Sequence, residues 1–246
     1  MCEMFAYIGE KTKLNLYLNE FFSHSEKHPH GWGLAIGYNV EKEPVKANDS
    51  TYLKHRLQET IETGELIAHI RNASVGSVNY LNTHPFTKED KFNNKYVLTH
   101  NGTINEYKIL DEYKNIQVGS TDSERIAELL IDKINEFNYS PSFEEKFSVI
   151  ENLVFKITEN NRNKVNLFIY DGQYLYAHCN FDTTLHILEK DDGVFIATKP
   201  VSNENWKQFP LNTLVAFKNG KWIKKGTSHK GIWIPVTEEE IYWSKY

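Results

Sequence analysis

Only two cysteines, Cys2 and Cys179, occur in 246 residues, so no disulfide framework can hold this chain together. Long apolar runs are missing as well. The longest are short strand-like pieces such as Leu167 to Tyr170, far below the ~18 residues a membrane span needs. Nor is there a basic excess. With 28 Lys+Arg against 33 Asp+Glu the formal net charge is -5, which argues against nucleic acid or a membrane surface as partner and points to small molecules or proteins. No Gly-rich phosphate loop, no repeat of fixed period and no Pro/Gly/Ser-rich linker is present. The start, Met1-Cys2-Glu3-Met4, shows neither the positive region nor the apolar stretch of an export signal, so a cytosolic protein is expected. The four Asn-x-Ser/Thr matches, at Asn48, Asn72, Asn101 and Asn138, are accordingly read as chance.

What is there is an ordinary globular composition, 40% hydrophobic and 25% charged. A chain of this length buries about 70% of its extended surface on folding, enough for a core without metal or disulfide staples. A first strand, Met4 to Ile8, is followed by an amphipathic helix carrying Leu14, Tyr17, Leu18, Phe21 and Phe22. Gly33 to Tyr38 and Glu65 to Arg71 read as strands, separated by a helix whose Leu53, Leu57 and Ile61 share a face. Lys95 to His100 is another strand. Thr121 with Glu124 forms a capping box for one central helix, and Phe143, Phe147, Ile150, Val154 and Ile157 stripe a second. From Val165 onward, short apolar runs broken by Asp-Gly and Asn-Gly turns predict an antiparallel meander. This order is α+β, and one domain spanning 1–246 is the economical expectation.

Chemistry begins at Cys2. Met1 precedes so small a residue that its removal is expected, leaving a thiol and a free α-amine on one residue. The amine, with an unperturbed pKa of about 7.7 to 8.0, can take the thiol proton near neutral pH without another base. Short motifs follow in order: His30-Gly31-Trp32-Gly33, Ala68-His69-Ile70-Arg71-Asn72-Ala73-Ser74, Asn82-Thr83-His84-Pro85-Phe86, Thr99-His100-Asn101-Gly102-Thr103, and Gly119-Ser120-Thr121-Asp122-Ser123-Glu124. Asn-Gly between apolar runs is a strong hairpin signal. Here the second run is helical in spacing, with Asn105 as cap and Tyr107, Leu110 and Tyr113 on one face, so Asn101-Gly102 is expected to close a strand-to-helix connection.

Together with Cys2, these motifs resemble the class II glutamine amidotransferase domain, an N-terminal-nucleophile hydrolase. The resemblance implies a four-layer α/β/β/α sandwich of two antiparallel sheets. It also implies that Cys2 attacks the γ-carbonyl of glutamine or another γ-glutamyl amide, while Asn101 and Gly102 hold the oxyanion. Arg71 would grip the α-carboxylate of the substrate and Asp122 its α-ammonium. Ser74 and Val75 stand where the glucosamine-6-phosphate synthase group carries Thr and His lining the pocket, so Val75 departs from that branch. His84 and His100 are expected in support, and Trp32 as core or pocket wall. No cofactor is implied. His24, His28 and His30 lie close together but lack a metal-ligand pattern, and Cys179 reads as a buried, inert thiol. The chain leaves no room for a fused synthase, so ammonia would pass to a separate synthase subunit. Alternatives are a stand-alone hydrolase of γ-glutamyl peptides or thiol conjugates, and a catalytically silent interaction module with this fold.

Overall fold

In the computed structural model, which describes residues 1–244, the first apolar run forms a strand that outlasts its hydrophobic centre, β1 (Glu3–Lys13). Then come α1 (Asn15–Ser23), β2 (Trp32–Ile36), β3 (Asn39–Glu43), α2 (Thr51–Gln58) and β4 (Glu62–Ile70). The helix expected to reach Ile61 stops at Gln58, because Glu59 is already extended. Ile61 is buried instead on the chain entering β4, where its carbonyl accepts the Leu14 N–H at 2.9 Å. The polar strand β3 escaped the periodicity reading, and it pairs with β2 across the two-residue turn Gly37-Tyr38.

The chain continues through β5 (Phe86–Glu89), β6 (Lys95–Thr103), α3 (Asp122–Asn135) and α4 (Phe143–Thr158). The Thr121 hydroxyl caps α3 by accepting the Glu124 N–H at 3.1 Å. The Glu124 carboxylate turns away, to the N–H groups of Val118 and Gly119, so the predicted capping box is only half made. Both halves are present at Ser142 and Glu145, which open α4. Strands β7 (Lys164–Tyr170), β8 (Leu175–His178), β9 (His186–Lys190), β10 (Gly193–Ala197), β11 (Lys207–Gln208), β12 (Val215–Lys218) and β13 (Lys221–Lys225) follow, and α5 (Glu238–Ser244) ends the described chain.

These last strands do not form one meander. One antiparallel sheet has the order β11-β9-β10-β1-β4-β2-β3 and the other β13-β12-β8-β7-β6-β5, so the C-terminal third is divided between them. Turn residues mark where a strand ends, but the open edge of β1, which takes β10, lies almost 190 residues away in sequence.

Three cores separate four layers. Phe21, Phe22, Leu53 and Trp32 pack α1 and α2 on the outside of the first sheet. Met4, Ala6, Val97, Phe168 and Ile196 fill the space between the sheets. Ile126, Leu130, Ile134, Phe147, Ile150 and Val154 seat α3 and α4 on the second sheet. The result is the expected α/β/β/α sandwich, in which each fully buried Leu or Ile side chain contributes about 1.5–3 kcal/mol.

Candidate active site

Side chains alternate across a strand, and the alternation decides what meets at one end of the sandwich. Met4, Ala6 and Ile8 of β1 enter the layer between the sheets, and Cys2 shares their phase. Ile67 of β4 sets the same phase for His69 and Arg71, and Val97 of β6 sets it for Thr99 and Asn101. Phe168 and Tyr170 of β7 do so for Lys164 and Asn166. Register completes the juxtaposition: Glu3 lies opposite Ile70, Asn101 opposite Asn166, and Thr103 opposite Lys164.

Asn101 and Gly102 therefore do not close a strand-to-helix connection. They lie inside β6, which runs three residues past the predicted end at His100. Asn105 is no helix cap either. Its N–H donates to Asn163 Oδ1 at 2.9 Å, and the following turn is a 3-10 segment over Lys108–Asn115 that starts behind Tyr107. Gly102 is required where it stands, since a Cβ there would collide with the Lys164 carbonyl of β7.

A cleft of about 150 Å³ opens at this end, lined among others by Cys2, Asn72, Ser74, Gly102, Lys164 and Trp233. A smaller one of about 40 Å³ adjoins it, with Cys2, Asn101 and Lys164 in its wall. Cys2 Sγ lies against the main chain of Asn72, 3.4 Å from its N–H nitrogen and 3.5 Å from its carbonyl oxygen. Burial pushes the thiol pKa up, while the neighbouring terminal amine, the Asn72 N–H, Arg71 and Lys164 act the other way. The Met1 amine is drawn down to about 6 by burial. Asn101 Oδ1 is buried and has no hydrogen-bond partner among the described residues, so this oxygen is not spent on their packing.

Around this centre the other expected residues take distinct places. Arg71, 2% exposed, donates to the carbonyls of Val75, Gly76 and Ser77 at 3.0 to 3.2 Å and so holds the loop that carries Ser74 and Val75. Ser74 Oγ meets Thr103 Oγ1 at 2.8 Å, on the cleft wall. Asp122, at the start of α3, accepts the N–H groups of Ile104 at 2.7 Å and Ser123 at 3.0 Å, which ties the chain leaving β6 to that helix. Neither Arg71, Val75 nor Asp122 lines the cleft itself.

His100 faces the helix layer. Its Nε2 is 2.9 Å from the Lys164 carbonyl and must carry the proton, which leaves Nδ1 to accept the Ser123 hydroxyl at 2.9 Å. His84 is buried, stacked on His69 with centroids 4.2 Å apart, and burial pushes both far below the usual histidine range, so both are neutral. Trp32 is core rather than pocket wall: it sits in the outer layer against Phe22 and donates to Glu43 at 3.1 Å. His24 and His28 gather around the buried carboxylate of Glu3, with His24 Nδ1 2.8 Å from it, and His30 accepts the Ala73 N–H. Among the described residues no group of three or more His, Cys, Asp or Glu is placed to hold a metal ion. Cys179 is buried, with its thiol pushed up to about 12.

Sequence reasoning missed two residues of the cleft. Lys164 opens a strand whose apolar run reads as starting at Val165, and a lysine before an apolar run passes for a solvated flank. Trp233 lies in a segment without periodicity, on a strap that returns to the cleft through Trp233 N–H to Asn180 O (2.8 Å) and Ile234 N–H to Asn161 O (2.8 Å). No local signal marks the strap.

The profile of the class II glutamine amidotransferases matches residues 1–192. A protein of Methanocaldococcus jannaschii, named only as uncharacterized, is 33% identical over 91% of this chain and 71% of its own length. Among solved structures, a predicted glutamine amidotransferase from Pseudomonas aeruginosa superposes with a TM-score of 0.63 at 20% identity, covering 91% of this chain and all of that one. The glutamine phosphoribosylpyrophosphate amidotransferase of B. subtilis gives 0.63 at 16% identity, covering 91% of this chain and 48% of that enzyme, so the likeness spans about half of it. At these identities the two structures speak for the fold alone. No helix among the described residues is long and apolar enough to cross a membrane.

Proposed function

Because the chain belongs to the class II glutamine amidotransferase family, we propose that it hydrolyses the γ-amide of glutamine or of another γ-glutamyl compound, with Cys2 as nucleophile. The observation that carries this reading is that Cys2 lies in the wall of two adjoining clefts at the end of the sandwich, with Gly102 in the wall of the larger and Asn101 in that of the smaller. Removal of Met1 frees the α-amine of Cys2, which takes the thiol proton as sulfur attacks the γ-carbonyl. The Asn101 amide and the Gly102 N–H stabilise the tetrahedral oxyanion. The C–N bond then breaks, the ammonium returns its proton to the leaving amine, and water hydrolyses the γ-glutamyl thioester to glutamate. Arg71 and Asp122, which attract each other electrostatically, exchange main-chain partners for the amino-acid end of the substrate as it binds.

On this reading residues 1–246 act as one domain in the cytosol, and ammonia or an amine leaves for a separate acceptor, such as a synthase subunit. The test is glutamate release from a panel of glutamine, glutathione and γ-glutamyl amines, with protein shown by intact mass to lack Met1 and with Cys2→Ala as control. Turnover of glutamine alone favours a glutaminase subunit, and turnover of a γ-glutamyl amine or peptide favours a stand-alone hydrolase. No turnover of any compound by Met1-free protein, with or without candidate partners, would leave an interaction module and overturn the proposal.

A further inference from the structure

We infer that Lys164 is a positioning residue for the Cys2 nucleophile, its side-chain nitrogen serving as charge partner of the Cys2 thiolate in the wall of the cleft. The inference rests on the reading of Cys2 as nucleophile given above. Lysine is almost never fully buried unless paired, yet Lys164 is 2% exposed. Among the described residues its Nζ meets no carboxylate at ion-pair distance. It donates to the Met1 sulfur at 2.7 Å and lies 5.2 Å from the centre of the Trp233 ring. Its place on β7, in phase with Asn166 and Phe168, directs it between the sheets, and it lines the clefts on both sides of Cys2.

The remaining charges are accounted for elsewhere. Glu3 is engaged by His24, His28 and Lys199, Glu240 of α5 by Arg162, and Asp122 by the main chain of α3. Glu239 of α5 lines the larger cleft as well and acts on the Met1 amine, but it is not among the groups that favour a charged Lys164. The groups that favour a charged Lys164 are the two cysteines, and Cys179, with a thiol at about 12 that points at the Pro210 carbonyl, stays protonated. Cys2 is left. Burial holds the Lys164 ammonium down to about 7, so near neutral pH its charge responds to a neighbouring anion. In the Met1-free protein the S–H bond breaks, the proton passes to the Cys2 α-amine, and Lys164 as ammonium supplies the counter-charge that holds sulfur ionised.

The test is the pH dependence of Cys2 alkylation by iodoacetamide in Met1-free protein, read by mass spectrometry so that Cys179 is scored separately. For Lys164→Met the midpoint moves up by about one unit, and the rate at neutral pH falls about tenfold. Lys164→Arg, which keeps the charge, recovers most of the shift. A Lys164→Met midpoint coinciding with the parent overturns the inference. Where that variant fails to fold, the coupling is read from the other side: the titration midpoint of Lys164, followed by NMR of 13C-lysine protein, falls in Cys2→Ala, because coupling between two sites is reciprocal. An unchanged midpoint there also overturns it. Alkylation needs no substrate, so failure of every γ-glutamyl compound to turn over would leave this test standing.

Discussion

Replacing Gly102 by alanine probes the oxyanion reading most directly. Gly102 lies in β6 opposite Val165, and a Cβ on it would strike the Lys164 carbonyl and come within 2.5 Å of His100 Nε2. Ordinary contacts of carbon with oxygen lie at ~3.3–3.6 Å, so the end of β6 has to swing away from β7 by about 1 Å or more. That movement stretches the His100 Nε2–H bond to the Lys164 carbonyl, now 2.9 Å, at a cost of about 1–3 kcal/mol for a buried polar group left unpaired. It also displaces the Gly102 N–H. Loss of one oxyanion donor costs on the order of 10² to 10³ in rate, about 2.7–4 kcal/mol of transition-state stabilisation. The expected result is kcat for glutamate release at least a hundredfold lower with KM little changed, and a thermal midpoint lower by roughly 2–4 °C for each kcal/mol lost. Cys2→Ala sets the floor of the assay. A folded Gly102→Ala protein with kcat within about threefold of the parent would refute both the close approach of the strands as a constraint and the donor role of this residue.

Two further outcomes follow from the same geometry. Arg71→Lys replaces a fork serving three carbonyls with a point charge, so it should destabilise the 75–77 loop by about 1–3 kcal/mol and raise KM for γ-glutamyl substrates about tenfold; an unchanged KM would remove Arg71 from substrate binding. Acid should weaken the fold before carboxylates titrate. His69 and His178 are buried and held down to about 3, below the unfolded value of about 6.5, so the unfolded chain binds more protons as pH falls through that interval. Stability is full above about pH 6.5 and each histidine removes about 2 kcal/mol by about pH 5. His24, raised by Glu3, works in the opposite sense but is one group. Urea midpoints compared between neutral pH and about pH 5 check this, and equal stability at the two would show that the histidines are not held neutral.

Strands and helices are legible in the sequence where a segment buries one face, because burial imposes a period on apolar residues. Leu14 to Phe22 and Ile126 to Ile134 could be read for that reason, and Val165 to Tyr170, buried on both faces, as a continuous apolar run instead. The polar edge strands β3 and β13 could not, since their side chains bury little. The sequence also marks candidates for chemistry, in a cysteine directly after the initiator, an Asn-Gly pair and an arginine and an aspartate in separate motifs. Which of these meet depends on long-range pairing. Pairing across 190 residues placed β10 beside β1 and split the apparent meander, and the phase of side chains on β6 and β7 turned Asn101 and Lys164 toward Cys2. Lys164 and Trp233 carry no local mark of their place in the cleft, because that place depends on neighbours that long-range pairing supplies, and that pairing is set by edges, twist and burial rather than by spacing along the chain.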